Sequence, residues 1–438
     1  MRTSNNKSSI PDQPPLNIAI VGFGTVGQAV ARILCRGWNP RLRLTHICNR
    51  NVERKRVDWV PSNVDWSDRI EKVLASDVDV VVELIGGLEP ATTWIRKALD
   101  SGKSVVTANK QVIARSGSSL LELSRRRQQR LCFEAAVAGG IPVIRGLEEG
   151  LAGDRLFRIQ GILNGTCNYI LTRMEHDQIP YATALKEAQN LGYAEADPAS
   201  DVDGLDAQAK LVILSAIGLR CQIDVDDIPL RTITTIEPID FVYARRLECT
   251  IRQIAHAELS RNGSNRILAW VQPALVPAVS TLARVEGSRN VVVVEGEFGR
   301  EFAFSGHGAG GEPTAVAVVS DLEAIARQGS NTKGTINETR TTERVVREFT
   351  APYYARFIVN DRPGIIAALA DIFSRHGVNV DSVLQEPGCS KSQLPFVVML
   401  EACRSDTVTE ALREIGSLDF HAHPPLLMPV LSSGEDRL

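Results

Sequence analysis

Residues 16–34 read L-N-I-A-I-V-G-F-G-T-V-G-Q-A-V-A-R-I-L, a glycine loop set between an apolar strand and an amphipathic helix. Gly22, Gly24 and Gly27 form the pattern G-x-G-x-x-G. In this context the first glycine permits a tight turn, the second lets a pyrophosphate approach the backbone, and the third seats helix on strand. The helix N-terminus adds free N–H groups and partial positive charge. The stretch predicts a dinucleotide site; the alternative is a purely structural turn.

The next segments repeat the alternation of short apolar strands and helices. Strands are predicted at Arg43–Cys48, Val78–Ile85 and Ser104–Thr107, with a helix at Ala91–Ser101. Such alternation is typical of an α/β fold with a Rossmann-type doubly wound sheet.

The length of 438 residues predicts about three domains, at roughly 150 residues each. Beyond the Rossmann domain we expect an α+β domain and then a smaller βαββαβ domain. The predicted divisions are a disordered extension at 1–15, the Rossmann domain at 16–140 with a return at 306–328, the α+β domain at 141–305, a linker at 329–350, and the βαββαβ domain at 351–435.

Composition excludes several classes of protein. The 49 Lys+Arg nearly balance the 52 Asp+Glu, which argues against a nucleic-acid partner. The apolar run at 267–283 is interrupted by Gln272, Pro273 and Pro277, which argues against a membrane span. The eight scattered cysteines lack the spacings of a zinc site, and residues 1–15 lack an apolar leader. We therefore expect a cytoplasmic protein.

A basic segment follows the second strand. Arg50 stands where a carboxylate would bind the ribose 2′-hydroxyl of NAD, and Arg54, Lys55 and Arg56 lie just beyond it. Arginine there favours a 2′-phosphate, which predicts a preference for NADP(H), with NAD still possible. The alternative is a solvated basic helix start.

Acids and one lysine are concentrated at 190–210, N-L-G-Y-A-E-A-D-P-A-S-D-V-D-G-L-D-A-Q-A-K. Asp206 and Lys210 are four residues apart and project from one side of a helix predicted at Leu205–Gly218. A positioned lysine can protonate the alkoxide formed when hydride reaches an aldehyde, and a carboxylate can orient it. The alternative is a surface ion pair worth about 0.3 to 0.5 kcal/mol. Asn109 and Lys110, after the strand at Ser104–Thr107, should face nicotinamide and substrate.

Taken together, these motifs resemble homoserine dehydrogenase in its single-function form with a C-terminal ACT domain. The resemblance rests on G-F-G-T-V-G (22–27), T-A-N-K (107–110), F-E-A-A-V-A-G-G-I-P (133–142), L-N-G-T-C-N-Y-I-L (163–171), G-Y-A-E-A-D-P-x-x-D-V-D-G-L-D-A-x-x-K (192–210) and G-A-G-G-E-P-T-A-x-A-V-V-S-D-L (308–322). It implies NAD(P)-dependent interconversion of L-aspartate 4-semialdehyde and L-homoserine, a step toward threonine, methionine and isoleucine. The α+β segment would then be a catalytic and dimerisation domain.

The resemblance also implies roles for individual residues. Lys210 corresponds to the proton donor, Glu195 and Asp206 to substrate-binding carboxylates with Asp201 in support, and Lys110 to a catalytic residue near cofactor and substrate. The matching cofactor positions are Gly22, Phe23, Gly24, Thr25, Val26, Gly27, Arg50, Lys110 and Gly310. A sodium ion is implied at Glu134, Val137, Gly139 and Ile141.

The C-terminal segments F-I-V-N-D-R-P-G-I-I (357–366) and G-V-N-V-D-S-V-L-Q (377–385) carry the ACT resemblance. Asn360, Asp361 and Gly364 lie at a turn into a helix, where free N–H groups can meet an amino-acid carboxylate. We expect feedback inhibition by threonine; the alternative is a domain kept only for assembly. ACT units usually pair edge to edge, so a homodimer or homotetramer is expected.

Two positions depart from the family pattern, and other protein classes fit less well. His307 stands where proline is common, and Cys167 stands where the family has a second threonine in N-G-T-T. Aspartate-semialdehyde dehydrogenase requires an activated cysteine, and a short-chain dehydrogenase requires Tyr-x-x-x-Lys, whereas Tyr181 is followed four residues later by Leu185. The non-enzymatic alternative is a regulator that senses cofactor and amino acid.

Overall fold

The computed structural model describes residues 14–260, 266–328 and 341–432. This part of the chain divides into two compact units. The first comprises residues 14–140 and 309–328, and the second comprises residues 141–260, 266–308 and 341–432. The sequence predicted that residues 306–328 return to the first domain and that the C-terminal domain is separate. In the structure, the α+β segment and the C-terminal segment belong to one compact unit.

The first unit contains a parallel sheet covered by helices. Its strands are β1 (Leu16–Val21), β2 (Leu42–Cys48), β3 (Asp65–Ser67), β4 (Val80–Glu83), β5 (Ser104–Thr107) and β6 (Leu131–Cys132). Its first helices are α1 (Thr25–Cys35), α2 (Val52–Lys55), α3 (Ile70–Leu74), α4 (Ala91–Asp100) and α5 (Lys110–Arg126). The strand order is β3-β2-β1-β4-β5-β6, that of a doubly wound nucleotide-binding sheet. The Rossmann-type fold class is therefore confirmed.

The edge strand β3 was not predicted from the sequence. It has only three residues, D-W-S, and its first residue is exposed, so it lacks an apolar run. It pairs in parallel with β2, and the amide of Asn49 donates to the Ser67 carbonyl at 3.0 Å. Backbone pairing, which composition does not reveal, makes this segment a strand. Because β3 adds a strand, the strand that precedes Lys110 is the fifth along the chain, and Lys110 is the first residue of α5.

The second unit begins with a mixed α+β segment. Its strands are β7 (Leu156–Ile162), β8 (Cys221–Gln222), β9 (Cys249–Leu259), β10 (Arg266–Pro277), β11 (Arg289–Gly296), β12 (Arg300–His307), β13 (Thr341–Thr342) and β14 (Arg344–Val346). Its helices are α6 (Val143–Arg145), α7 (Gly165–Asp177), α8 (Tyr181–Asn190), α9 (Ala199–Val202), α10 (Leu205–Gly218) and α11 (Pro238–Arg246). The main sheet has the order β12-β11-β7-β9-β10-β14.

Strand β10 continues through Pro273 as far as Pro277. It pairs with β9 along Ile267–Pro277, while β14 pairs only with Arg266–Leu268 on the other side. Proline is tolerated where a strand lacks a partner that needs its N–H. Residues 341–346 of the predicted linker form β13 and β14, and residues 329–340 lie outside the described part of the chain.

Helix α12 (Gly311–Gln328) belongs to the first unit and packs against α1. It lies within the segment 306–328 that the sequence predicted to return to the first domain. A Cβ on Gly311 would lie 2.7 Å from Cγ2 of Thr25, so glycine allows the starts of these two helices to approach closely.

The C-terminal segment folds as predicted into βαββαβ order. It contains β15 (Thr350–Val359), α13 (Ile365–Arg375), β16 (Val380–Gln385), β17 (Leu394–Arg404), α14 (Ser405–Ile415) and β18 (His421–Pro429). The antiparallel sheet has the order β16-β17-β15-β18. Strand β18 lies at the edge of this sheet, where Pro424 and Pro425 cost few hydrogen bonds. The predicted boundary at 435 lies outside the described residues.

The two faces of this C-terminal sheet are both buried, but against different partners. Tyr353, Phe357 and Val398 pack with α13 and α14. Tyr354, Met399 and their same-face neighbours join the core of α7 and α11. Side chains along β15 alternate between the two faces of the sheet. The face that carries Tyr354 therefore attaches the C-terminal domain to the α+β segment. None of the described helices combines the length and apolar composition needed to cross a membrane.

Candidate active site and cofactor site

The glycine loop of the first unit has a different steric constraint at each glycine. Gly22 adopts φ +105°, and a Cβ there would lie 2.7 Å from the Leu84 carbonyl carbon and oxygen. A Cβ on Gly27 would lie 2.1 Å from the Gly22 carbonyl oxygen. At Gly24, by contrast, the described part of the chain places no atom within 4 Å of an added Cβ, apart from those of the two adjacent residues. Close contacts within the protein thus require glycine at positions 22 and 27. At Gly24 there is instead open space at the start of α1.

The residues beside these glycines differ in exposure. Phe23 is fully buried, with its ring 5.0 Å from that of Trp66, and its amide donates to Oδ1 of Asn49 at 2.9 Å. Its side chain therefore belongs to the core, and only its backbone borders the loop. Thr25 is exposed and Val26 half-buried on the first turn of α1. Gly310, at φ +116°, precedes α12 in the same unit.

The basic segment after β2 borders a cavity. Arg50 is exposed two residues beyond the end of β2, and Asn51 turns the chain at φ +59°. The adjoining 440 Å³ cavity is lined by Asn51, Val52, Glu53, Arg54, Arg56, Trp66, Ser67, Asp68 and Lys72. Three cations against two carboxylates give the cavity a net positive lining. Of the four basic residues that the sequence pointed to, Arg54 and Arg56 line the cavity and Arg50 and Lys55 do not, while Lys72 is added by the fold.

Buried polar groups occupy the carboxyl ends of β4 and β5. Glu83 is 1% exposed; it accepts from Oγ1 of Thr107 at 2.6 Å and from the amide of Ile85 at 2.8 Å. Burial raises the pKa of the Glu83 carboxyl. Asn109 caps α5, with Oδ1 accepting from the amide of Val112 at 3.3 Å. Lys110, half-buried, is the first residue of α5.

In the second unit, Asp206 and Lys210 form a buried ion pair. Lys210 Nζ donates to Oδ2 of Asp206 and to the Leu163 carbonyl, both at 2.7 Å. The side chains are 5% exposed for Asp206 and 11% for Lys210, because α10 is buried on nearly all sides. The alternative of a surface ion pair is therefore wrong. A buried pair is costly to desolvate and needs further hydrogen bonds.

Asn164 supplies those further bonds, and sequence reasoning assigned it no role. Its Nδ2 donates to Oδ1 of Asp201 at 2.7 Å and to Oδ2 of Asp206 at 2.9 Å. Its Oδ1 caps α7 by accepting from the Cys167 amide at 2.8 Å. The available signal was Asn before the apolar α7, an N-cap pattern within the motif already quoted.

Asn164 variants are expected to separate capping from carboxylate positioning. Asn164→Ala removes both, so we expect a loss of about 1 to 3 kcal/mol in unfolding free energy and a lower kcat. Asn164→Ser restores the cap oxygen but lacks the amide donor, so stability should recover more than kcat. Thermal melts and steady-state kinetics check this, with exposed Asn190→Ala as control. Wild-type kcat in Asn164→Ser would contradict the positioning role.

The predicted substrate carboxylates are not all brought together. Asp201, half-buried at the end of α9, joins Asp206 through Asn164. Glu195 is exposed in the turn between α8 and α9, where its carbonyl accepts from Nε2 of Gln189 at 3.1 Å. The buried cluster therefore consists of Lys210, Asp206, Asp201 and Asn164, with Glu195 exposed outside it.

The two departures from the family pattern lie in different surroundings. Cys167 is fully buried, its Sγ donates to the Asp201 carbonyl at 3.1 Å, and burial raises the pKa of its thiol well above the ordinary value. A thiol so protonated is a poor nucleophile, which is consistent with a structural role. His307 is exposed at the end of β12, in register with Arg289.

The loop with the predicted sodium ligands is strongly turned. Glu134 is 3% exposed, and its amide donates to Oδ2 of Asp321 at 2.9 Å. Ala138 and Gly139 both adopt φ +55°. The carbonyl of Ile141 already accepts from the amide of Val143 at 2.8 Å. No cluster of three or more His, Cys, Asp or Glu suited to a metal ion occurs within the described ranges.

The predicted effector turn lies between β15 and α13. The amide of Asn360 donates to the Phe420 carbonyl at 2.8 Å, and that of Asp361 to the Lys391 carbonyl at 2.7 Å. Gly364 adopts φ +93° as the N-cap of α13. All three positions are exposed, as a ligand-binding turn requires.

Family models cover most of the chain. Residues 22–134 match the NAD-binding domain of homoserine dehydrogenase, residues 142–322 match its catalytic domain model, and residues 353–420 match the ACT domain. A homoserine dehydrogenase from Mycobacterium tuberculosis is 39% identical in an alignment 424 residues long that covers 93% of this chain and 96% of that relative.

Solved structures agree with the sequence relatives. A homoserine dehydrogenase from Thiobacillus denitrificans is 31% identical with a TM-score of 0.86, over 95% of this chain and 98% of that one. A hyperthermophilic archaeal homoserine dehydrogenase in complex with NADPH is 27% identical with a TM-score of 0.61, over 72% of this chain and 98% of that one.

Proposed function

The chain belongs to the homoserine dehydrogenase family of NAD(P)-dependent oxidoreductases, and we propose that it reduces L-aspartate 4-semialdehyde to L-homoserine with a preference for NADPH. The observation that carries the proposal is the buried Lys210–Asp206 pair, with Nζ held at 2.7 Å from the carboxylate. The reaction would lie on the route to threonine, methionine and isoleucine.

The proposed chemistry assigns one task to each group. A nicotinamide cofactor held at the glycine loop of Gly22, Gly24 and Gly27 would supply the hydride that reduces the aldehyde. The Lys210 ammonium gives a proton to the resulting alkoxide, which completes the hydroxyl, and the lysine regains its proton from water. Asp206 favours the charged lysine, and the Leu163 carbonyl directs it. Glu195 and Asp206 are assigned to the substrate ammonium, with Asp201 in support, because carboxylates attract that group.

The proposal is tested by following cofactor oxidation with purified protein, L-aspartate 4-semialdehyde and NADPH. Turnover that yields L-homoserine is expected. No turnover under conditions where the protein is folded and binds cofactor would refute the proposed reaction and favour a regulator that senses cofactor and amino acid.

NADP preference is proposed from the basic segment after β2, in which Arg50 stands next to the cavity that Arg54, Arg56 and Lys72 line. Arg50→Asp places a carboxylate where it repels a 2′-phosphate and can accept from a 2′-hydroxyl. We expect the ratio of kcat/KM for NADPH to that for NADH to fall by about 10-fold or more, since each charge-assisted hydrogen bond is worth about 1.5 to 3 kcal/mol. Arg43→Asp, at an exposed site within β2, is the control. An unchanged ratio in Arg50→Asp would oppose the assignment.

A sodium site is proposed at Glu134, Val137, Gly139 and Ile141 from the family resemblance. A buried carboxylate beside a chain reversal with carbonyl groups suits a hard monovalent cation, which prefers oxygen ligands. The ion would order residues 134–141 without taking part in proton transfer. Higher thermal stability in sodium chloride than in an equal concentration of tetramethylammonium chloride would support the site; identical melting curves would oppose it.

Threonine feedback is proposed through the ACT domain, with Asn360, Asp361 and Gly364 as contacts. The N-terminus of α13 can meet a carboxylate, and Asp361 can meet an ammonium group. We further propose a homodimer or homotetramer in the cytoplasm. Loss of threonine inhibition in Asp361→Asn, with basal activity unchanged, would support this turn; full retention would oppose it.

A further inference from the structure

A second polar cavity lies within the second unit, between the ACT sheet and the catalytic segment. It measures 610 Å³ and is lined on one side by the segment 230–237 and on the other by residues 423–427 of β18. Arg356 of β15 and Pro273 of β10 complete the lining. Its lining shares no residue with the turn at 360–364 or with the Lys210 cluster.

The inner wall of this cavity is a buried ionic network. Arg356 is 3% exposed and lies 2.8 Å from Oε1 of Glu237 and 3.1 Å from Oδ1 of Asp240. Tyr354 Oη also donates to Oδ1 of Asp240, at 2.7 Å. Nδ1 of His423 lies 3.3 Å from the same Glu237 oxygen as Arg356. Asp240 is fully buried and does not line the cavity, whereas the Glu237 side chain is 37% exposed and does, so Glu237 is the carboxylate that borders the open space.

The outer wall presents a more accessible cation. The Arg231 side chain lines the cavity, and the hydrogen bond from its Nη1 to the Leu427 carbonyl is long, at 3.4 Å. A planar guanidinium with several N–H donors suits a carboxylate. Thr232, Thr234 and Thr235, together with proline and leucine residues, complete this part of the lining.

We propose that this cavity binds a small zwitterionic α-amino acid, whose carboxylate is held by Arg231 and whose ammonium group is held by Glu237. The arrangement offers both charges that such a molecule carries, together with an apolar wall for a short side chain. The inference rests on the proposed function in one respect, that an ACT-bearing biosynthetic enzyme is expected to respond to amino acids.

The same cavity wall is bonded to the catalytic cluster. Oγ1 of Thr232 and the amide of Ile233 both donate to the Val202 carbonyl, at 3.2 and 3.1 Å. Val202 ends α9, directly after Asp201, whose carboxylate accepts from Asn164. Movement of the segment 230–237 on ligand binding would therefore displace the residue next to Asp201. Through this displacement, ligand binding in the cavity would lower the rate of turnover.

The first experiment measures binding by calorimetry on the full chain, with L-threonine, L-isoleucine and L-methionine as probes. We expect at least one to bind, and Arg231→Gln to weaken it by about 10- to 100-fold, the loss of a charge-assisted hydrogen bond. Arg245→Gln, an exposed arginine on α11 away from the cavity, is the matched control. Binding lost in Asp361→Asn but retained in Arg231→Gln, or no binding of any probe, overturns the proposal.

The second experiment tests the coupling. Thr232→Val removes the hydroxyl bond to the Val202 carbonyl and leaves the bond from the Ile233 amide, whereas Thr232→Ser keeps both. We expect the valine variant to bind the amino acid with near-normal affinity but to be inhibited less, and serine to restore inhibition. Equal inhibition of all three proteins overturns the coupling. Calorimetry needs no substrate, so wild type that binds through Arg231 without turnover would refute only the proposed reaction, and turnover without binding would refute only this site.

Discussion

Replacing Lys210 with methionine is expected to lower kcat for reduction of L-aspartate 4-semialdehyde by about 10³-fold, within the range usual for a lost general acid. Methionine keeps much of the side-chain volume but supplies neither proton nor positive charge. The KM for NADPH should change little, because the cofactor is bound by the first unit. Steady-state kinetics and a direct cofactor titration measure the two effects.

The buried partner provides an internal control for this loss. Lys210→Met leaves the Asp206 carboxylate buried without its cation, so the variant should also unfold more readily, as removal of one member of a buried pair usually costs about 3 to 5 kcal/mol. Adding Asp206→Asn should recover stability without recovering activity. Lys186→Met, on the exposed face of α8, controls for loss of a lysine. Activity restored in the double variant would show that Lys210 acts only by holding the fold.

Alanine at Gly24 and alanine at Gly27 are expected to fail in different ways. Gly27→Ala places a methyl carbon 2.1 Å from the Gly22 carbonyl oxygen, so the loop must shift and unfolding should become easier by about 1 to 3 kcal/mol or more. Gly24→Ala meets no atom of the described part of the chain within 4 Å, apart from those of the two adjacent residues. Its methyl group instead fills the space assigned to the pyrophosphate.

The expected result for Gly24→Ala is a rise of about 10-fold or more in the Kd for NADPH, as lost phosphate hydrogen bonds are charge-assisted. Its unfolding free energy should fall by no more than about 1 kcal/mol, the usual effect at a helix N-cap. Denaturant melts and cofactor titration separate the two quantities. Normal cofactor affinity in a folded Gly24→Ala protein would place the pyrophosphate elsewhere.

Local pattern was sufficient where a residue's role depends on its near neighbours in sequence. The strand, glycine loop and helix at 16–34 identified the nucleotide-binding fold, because G-x-G-x-x-G constrains the backbone over a few residues. The four-residue spacing of Asp206 and Lys210 likewise established their common helix face. The short edge strand β3 was missed because its strand character comes from pairing with β2.

Burial and long-range contact decided the remainder. The sequence left open whether Asp206 and Lys210 form a surface pair, and the enclosure of α10 on nearly all sides settled that they do not. Asn164 lies 42 positions from Asp206, and Arg356 lies over a hundred from Asp240, so no local pattern joins them. The sequence by itself determined the family, the fold class and the identity of the charged groups. Tertiary structure alone decided which charges are shielded from water, and hence which interact strongly, because electrostatic strength depends on burial and distance rather than on position along the chain.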